Sequence, residues 1–336
     1  MHIEKGLIYE VSVLDTRILR PARSPHKEES RNSEGESRKN ERRMTMETSI
    51  TNITEGQRKQ YKRFVEDAAD KALVETGLDK DGLQRVIENG DELQVAIVAK
   101  LKELSVSNEY ADEEVKSNYG YLSGYTKPKG IAEQTNILRQ LFPGIGYADE
   151  AVANQPLPAG AEGWFAIPRW EKIAPTYNEA VEKVLAAIKT HRKGKFYNWR
   201  EGNLGPQYLR QTAKAARVFQ KLGDEQKDHD ILVVPAQFGL RHRGRSVRRA
   251  RAVMNSGEFG LGAFAVGIMI LTHPERLKHY DDLWIDCAGD EYSPDADGVF
   301  SHAPFFYFHD GKVKFDAYWV GGASGDFGSA SGFVSQ

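Results

Sequence analysis

The sequence predicts a mixed α/β protein, with a helical N-terminal subdomain followed by a mixed α/β domain that ends in an antiparallel hairpin. Three observations support this class. Apolar residues recur at helical spacing in the first part of the chain, strand-like and helical segments alternate after residue 163, and Asp310-Gly311 separates two strand-like runs. Asp-Gly is a residue pair that the type I′ turn of a two-residue hairpin prefers.

The first part of the chain differs from the rest in composition. Residues 24–43 contain no apolar side chain other than Pro25, so they cannot bury enough surface to offset the entropy of ordering them. We therefore predict that residues 1–45 are a disordered leader or translated upstream sequence. We favour the second interpretation, with a start at Met46 or Met44, because Glu41-Arg42-Arg43 can be encoded by a purine run containing a ribosome-binding consensus shortly before Met46.

Residues 46–142 are predicted to form a helical subdomain. Thr54-x-x-Gln57 matches a capping box, and the apolar residues after it recur every three or four positions until Gly77. Similar stripes follow in three further segments. The stripes are Tyr61, Phe64, Val65, Ala68, Ala72 and Leu73; then Leu83, Val86 and Ile87; then Leu93, Ile97, Leu101 and Leu104; and finally residues 131–142.

A linker is predicted over residues 143–163, where Pro, Gly and Ala gather with little periodicity. All five tryptophans and the lone cysteine lie beyond it. The larger core is therefore expected in a mixed α/β domain over 164–336. This domain should begin with a strand at Trp164-Phe-Ala-Ile and a helix that starts at the capping box Thr176-x-x-Glu179.

The remaining elements follow from apolar patterning. A helix is predicted over 206–222, and the run from Asp230 to Val234 is typical of a buried strand. Phe259 to Leu271 predicts a buried helix, because the run is longer than an ordinary strand. A strand at Leu283-Trp-Ile-Asp-Cys and the two runs that flank Asp310-Gly311 complete the domain.

Composition excludes several classes of protein. No apolar run approaches the roughly 20 residues of a membrane span. Cys287 is the only cysteine, so neither an internal disulfide nor a Cys-rich metal site can form. His302 and His309 would face opposite sides of a strand, and no other histidine pair has metal-ligand spacing. Because no secretory signal pattern is present either, we expect a cytoplasmic protein with no metal, cofactor or membrane partner.

Basic charge is concentrated in one block of the chain. Between Lys183 and Arg251, seventeen Lys and Arg residues stand against five Asp and Glu, although the whole chain has a formal charge of −2. Such a block is typical of proteins that bind phosphates, and aromatic residues among the cations favour single-stranded RNA or DNA. The predicted nucleic-acid contacts are Arg241, Arg243, Arg245, Arg248, Arg249 and Arg251, called the arginine segment below, with Lys193, Lys195, Tyr197 and Trp199.

Two alternatives to this interface remain open. Residues 281–336 carry ten acidic and two basic residues, so the arginines could be paired within the fold and the protein could be a non-catalytic interaction module. The other alternative is an enzyme for a small anionic or phosphorylated substrate, with the arginine segment as a clamp. In that case Asp286, Asp290 and Glu291 are the candidate acid–base or Mg²⁺ groups, because they lie at a predicted strand end.

Glycines near residue 260 need a separate explanation. Gly260-x-Gly262-x-x-Ala265 matches a loose dinucleotide-binding fingerprint, with Asp282 about 20 residues further on. The motif does not follow a strand that opens a βαβ unit, so close helix packing explains the glycines better. No cofactor is therefore expected.

Three segments carry a resemblance to a known group of proteins. They are Phe259-Gly-Leu-Gly-Ala-Phe-Ala-Val-Gly, Trp284-Ile-Asp-Cys-Ala-Gly and Gly328-Ser-Ala-Ser-Gly. Over about residues 46–336 the chain resembles uncharacterised proteins from small-genome candidate-phyla bacteria. The resemblance implies a bacterial cytoplasmic protein and no particular chemistry.

Overall fold

The computed structural model describes residues 54–104 and 107–334. The expected leader over 1–45 therefore lies outside the described residues. The chain divides into two compact units after Arg85, and each unit is described by itself. The linker over 143–163 stays a prediction.

The two predicted capping boxes are confirmed, at the starts of the helices Glu55–Thr76 and Tyr177–His191. The Thr54 hydroxyl accepts from the Gln57 N–H while the Gln57 side chain accepts from the Thr54 N–H, and Thr176 and Glu179 form the same reciprocal pair. The helices are α1 (Glu55–Thr76), α2 (Lys80–Glu88), α3 (Gly90–Leu104), α4 (Ile131–Leu141), α5 (Tyr177–His191), α6 (Ala213–Glu225), α7 (Val247–Val253) and α8 (Ala263–Thr272).

The strands belong to two sheets, and together with the helices they confirm the mixed α/β class. In chain order they are β1 (Gly163–Pro168), β2 (Phe196–Asn198), β3 (Leu209–Gln211), β4 (Ile231–Gln237), β5 (Glu258–Gly260), β6 (Trp284–Asp286), β7 (Asp290–Tyr292), β8 (His302–His309), β9 (Lys312–Trp319), β10 (Phe327–Ser329) and β11 (Ser331–Phe333).

The smaller sheet is antiparallel, with the strand order β1-β4-β11-β5. Every residue of β4 is buried, as its apolar sequence predicts. α4 contacts β1, and the Gln134 side chain on α4 bonds to the Trp164 carbonyl and the Ala166 N–H of that strand. A buried amide thus fixes the helix against the edge of the sheet.

The larger sheet has the strand order β10-β6-β8-β7-β3, and β9 extends it from β8 to β2. The predicted hairpin is confirmed as β8 and β9, which pair along their whole length. Its turn residues Asp310 and Gly311 have φ angles of 52° and 70°, and two positive φ angles are what a type I′ turn requires.

α8 lies in the main core, where every one of its residues is buried. α5 packs against it, and a Cβ at Gly267 would come within 2.5 Å of the Val184 side chain. Gly267 therefore permits the close approach of the two helices. Among the described residues, no helix combines the length and the apolar character that crossing a membrane requires.

Two predicted elements begin elsewhere than expected. The segment predicted as a helix over 206–222 contains β3, and α6 starts only after the N-cap Thr212, whose hydroxyl accepts from the Ala215 N–H. Likewise, the run from Phe259 to Leu271 opens in β5 and becomes helical at Ala263. In both places a short stretch pairs with a strand distant in sequence, which local periodicity does not reveal.

Candidate nucleic-acid interface

Arg241, the first residue of the arginine segment, bonds to a buried carboxylate. Glu258 is fully buried and accepts hydrogen bonds from His242 Nε2 at 2.7 Å, Ser331 Oγ at 2.6 Å and Arg241 Nε at 3.0 Å. Burial alone would raise the pKa of Glu258, but the bonds from His242 and Ser331 and the charge of Arg241 lower it to about 2. Arg241 thus compensates an internal charge that the fold itself contains.

Three further arginines pair with an acidic segment far upstream. Arg248 Nε donates to both carboxylate oxygens of Glu113, at 2.9 and 2.8 Å. Glu114 receives Arg249 Nε at 2.5 Å and lies 3.3 Å from Arg245 Nε. The hydrogen bond from Arg248 lowers the pKa of Glu113, so that carboxylate is ionised at neutral pH.

Gly244 allows this acidic segment to approach. Its φ is 76°, and a Cβ there would lie 2.2 Å from the Val115 carbonyl oxygen. With no side chain in the way, the Val115 N–H donates to the Gly244 carbonyl at 2.8 Å. The glycine that interrupts the arginines is therefore a contact point between backbones.

The two remaining arginines of the segment, Arg243 and Arg251, bond to backbone carbonyls. Arg251 donates to the Ala288 and Asp290 carbonyls at 2.9 and 2.6 Å, and Arg243 donates to the Tyr119 carbonyl at 2.9 Å from an exposed position. Each arginine of the segment therefore has a partner within the fold. The carboxylate partners are Glu113, Glu114 and Glu258 rather than the acidic residues of 281–336.

Tyr197 and Trp199, the predicted aromatic contacts, lie on the solvent side of the larger sheet. Tyr197 on β2 lies beside Lys314 on β9, which lies beside Tyr307 on β8. The alternate residues of these strands, such as Phe315, belong to the main core. The outward-facing rings, called the aromatic face below, are Tyr197, Trp199, Trp284, Phe305, Tyr307, Tyr318 and Phe327.

The rings of the aromatic face form a continuous series of contacts. Tyr197 and Trp199 are 4.6 Å apart between centroids, and Trp199 Nε1 donates to the Tyr307 hydroxyl at 3.0 Å. Tyr307 is 4.6 Å from Trp284, which stacks on the buried Phe305. The series thus runs from a buried centre to an exposed end, where Tyr197 and Trp199 are 46% and 51% exposed.

The cations beside the exposed rings differ from those of the arginine segment. Lys193 and Lys195 precede β2, and Lys312 begins β9; all three are exposed, and none forms an ion pair within 54–104 or 107–334. The acids nearby are neutralised, since Asp316 pairs with Arg200 at 2.7 Å and Asp310 pairs with Lys314 at 2.8 Å. The three lysines therefore present their charge to solvent.

The three candidate catalytic carboxylates have separate surroundings. Asp286 is buried beside Ser329, and burial raises its pKa to about 8. Asp290 accepts from the Tyr177 hydroxyl at 2.8 Å and from the Ala263 N–H at 2.7 Å, and burial raises its pKa to about 7. Glu291 pairs with Arg210 instead.

Asp290 lies next to a defined cleft, behind the wall that Gly262 and Tyr177 form. The cleft has a volume of about 420 Å³ and is lined by Trp170, Tyr177, Phe219 and Gly262 among others. A Cβ at Gly262 would lie 2.3 Å from Asp290 Oδ1, so Gly262 is needed for this packing. A Cβ at Gly260 would likewise lie 2.4 Å from the Ala288 carbonyl carbon, so close contacts explain both glycines of the fingerprint.

Comparison with known proteins gives no relative on which to base a function. The chain matches no family model, no curated protein and no solved structure. The resemblance to candidate-phyla bacterial proteins therefore stays a prediction. Any functional conclusion has to rest on the geometry of the aromatic face, the arginine segment and the cleft.

Proposed function

We propose that the protein binds single-stranded nucleic acid, RNA or DNA, on the exposed end of the aromatic face. One observation carries the proposal: Tyr197 and Trp199 lie on a sheet surface beside exposed lysines that have no acidic partner among the described residues. Of the contacts predicted from sequence, Lys193, Lys195, Tyr197 and Trp199 remain in the proposed interface. Tyr307 and Lys312 join them.

The chemistry of the two groups fits a single strand. Base stacking on an aromatic side chain contributes about 1–3 kcal/mol per base and tolerates any sequence. The exposed rings of Tyr197 and Trp199 offer such stacking surfaces, while Lys193, Lys195 and Lys312 supply charge for phosphates. A duplex would hide the faces of its bases, so we infer a preference for single strands.

The arginine segment is left out of this proposal. Arg248 and Arg249 would have to release Glu113 and Glu114 before they could contact phosphates, and release would leave those carboxylates unpaired. The proposal also keeps the expected cytoplasmic location, where single-stranded RNA is available.

A titration of tryptophan fluorescence with oligonucleotides of about 12 nucleotides tests the proposal. Oligouridylate and oligothymidylate should bind with micromolar affinity at low salt. Replacing Tyr197 and Trp199 together with Ala should raise Kd at least about 10-fold, equivalent to about 1.4 kcal/mol. Anisotropy of a labelled oligonucleotide measures the variant, which lacks the reporting indole of Trp199.

Tyr147→Ala is the matched control, because Tyr147 is 57% exposed and contacts Arg139 away from the larger sheet. Its affinity should equal that of the wild type. Loss of affinity in the control, or no oligonucleotide binding at low salt, would refute the proposal. Binding of a neutral polysaccharide with no dependence on salt would replace it with sugar recognition on the same rings.

The second candidate is a small-molecule site in the cleft, and we propose it because Asp290, with its raised pKa, lies directly behind the wall at Gly262. Trp170 and Phe219 supply aromatic walls, and the acids Glu171 and Asp224 line the cleft together with Arg169. The Arg169 guanidinium is already bonded to the backbone carbonyls of His229, Gly223 and Gln226. These groups suit a neutral or cationic aromatic ligand rather than the anionic substrate inferred from the arginine segment.

Paired nucleoside probes test this second site. Adenosine should raise the melting temperature of the wild type and fail to do so in Trp170→Ala, which lacks one aromatic wall. AMP, which differs by its phosphate, should raise it less because of the acids Glu171 and Asp224. If neither probe alters the melting temperature at millimolar concentration, the proposal of a small-molecule site in the cleft is wrong.

A further inference from the structure

Helix α1 carries an apolar stripe whose side chains are exposed in the part of the chain that the structure describes. No residue of this 22-residue helix is buried. Tyr61 and Val65 are 41% and 36% exposed, and Ala68 and Ala72 on the same stripe are exposed as well. Most helices in proteins are stabilised by packing an apolar face rather than by propensity alone. The stripe on α1 is therefore a surface that needs a partner.

We propose that the partner is α1 of a second copy of this chain, packed antiparallel. Positions 61, 65, 68 and 72 are spaced four, three and four residues apart, which is the spacing of a coiled-coil seam. The same patch can meet itself across a two-fold axis, as in most symmetric dimers.

The sizes of the seam residues favour the antiparallel direction. When the two-fold axis of the antiparallel pair passes between Glu66 and Asp67, Tyr61 of one copy lies opposite Ala72 of the other. In the same register Val65 lies opposite Ala68. Large side chains then meet small ones in every layer. A parallel pair would place Tyr61 against Tyr61 and alanine against alanine, which crowds one layer and leaves space in another.

The charges of α1 favour the same direction. The first half, residues 55–65, has four basic residues and one acidic residue, whereas the second half, residues 66–76, has four acidic residues and one basic residue. Antiparallel pairing brings a half of charge +3 against a half of charge −3, and parallel pairing brings like halves together. At each end of the seam, Arg58 of one copy would face Glu75 of the other.

Charge reversal in the full chain tests the pairing. Light scattering after size exclusion should give twice 37.7 kDa for the wild type at about 100 μM. Arg58→Glu and Glu75→Arg should each weaken the dimer at least about 10-fold, and the double variant should return to within about threefold of the wild type, because the end pair is restored in reverse.

Lys59→Glu is the matched control, since it reverses charge in the same half but off the seam. It should weaken the dimer less than about threefold. A wild-type mass of 37.7 kDa at about 100 μM, or a double variant no stronger than the single ones, would overturn the proposal. Circular dichroism checks that each variant keeps its helix content.

Disulfide formation reports the direction independently of stability. An antiparallel pair places Tyr61 opposite Ala72, whereas the two copies of Tyr61 would be about 16 Å apart along the axis, too far for a disulfide. Mixing Tyr61→Cys with Ala72→Cys should therefore give a cross-linked pair that neither variant gives alone. The native Cys287 is buried and offers no exposed thiol. Cross-linking of Tyr61→Cys with itself would contradict the antiparallel arrangement.

Discussion

The arginine segment and the turn that carries Lys193 and Lys195 belong to one basic block of sequence, yet the fold gives them opposite surroundings. In the arginine segment, Arg249 is buried and is held by the Glu114 carboxylate and by backbone carbonyls. Lys193 and Lys195 are exposed in the turn that leads into β2, the strand that carries the exposed Tyr197. The first region joins distant parts of the chain, and the second is accessible to a ligand.

This difference teaches that the availability of a cation depends on which acids reach it on folding. Glu113 precedes the arginine segment in the sequence and Glu258 follows it, and in the folded chain both carboxylates bond to its arginines. No acid among the described residues reaches Lys193 or Lys195. A count of charges along the chain gives both regions the same sign and does not distinguish them.

The largest effect on stability is expected at Glu258, the buried carboxylate that Arg241 contacts. Glu258→Ala should lower the free energy of unfolding by about 3–5 kcal/mol, because Arg241 loses the charge that compensates it and His242 and Ser331 lose their buried acceptor. Urea unfolding measures the loss. Glu291→Ala, which breaks the more exposed pair with Arg210, should cost about 1 kcal/mol or less. Equal losses in the two variants would mean that burial does not distinguish these pairs.

The pH dependence of stability tests the buried region a second way. The pKa of Asp286 is about 8 in the folded state and about 4 in an unfolded chain. Since the folded pKa is raised, this contribution to stability is fully present below about pH 4 and is lost as the pH rises to about 8.

Asp286→Asn keeps a neutral side chain at every pH and is the reference for this measurement. Between pH 4 and pH 8, the wild type should lose on the order of 3–5 kcal/mol of unfolding free energy relative to the variant. Urea melts at several pH values give the two curves. Parallel curves would show that Asp286 is not held protonated by burial.

A smaller loss is expected at Arg249. Arg249→Ala removes its hydrogen bonds to Glu114 and to the Glu109 carbonyl, which should lower the free energy of unfolding by about 2 kcal/mol. The measurement is again urea unfolding. Arg210→Ala, with its side chain 55% exposed, serves as the control and should change stability by less than about 1 kcal/mol.

The smallest effect on stability is expected at the exposed lysines. Replacing Lys193 and Lys195 with Ala should change the free energy of unfolding by less than about 0.5 kcal/mol, because neither side chain is buried. The melting temperature measures this. A drop of several degrees would show that the lysines support the fold and would remove the contrast with the arginine segment.

Much of the fold was predictable because its signals are local. The Asp310-Gly311 turn, the capping boxes and the apolar run of β4 each involve neighbouring residues. β10 and β11 were missed because Phe327–Phe333 is rich in Gly and Ser and becomes extended only by pairing with β6, β4 and β5. Long-range pairing of this kind leaves no periodicity in the sequence.

The candidate site was predictable only in part for the same reason. Tyr197 and Trp199 were identified by their position among cations, but Tyr307 joins them only through the register of β2, β9 and β8. The sequence indicated residues 281–336 as acidic partners for the arginines, whereas the structure pairs them with Glu113 and Glu114, and nothing local connects these two residues to arginines some 135 positions later.

The salt dependence of oligonucleotide binding tests the central claim most directly. Each phosphate contact contributes about −0.7 to the slope of log affinity against log salt on a single strand. Replacing Lys193, Lys195 and Lys312 with Ala should flatten the slope by about 2, while replacing Arg245 and Arg248 should leave it unchanged in protein that circular dichroism shows to be folded. A slope that flattens with the arginines and not with the lysines would contradict the account.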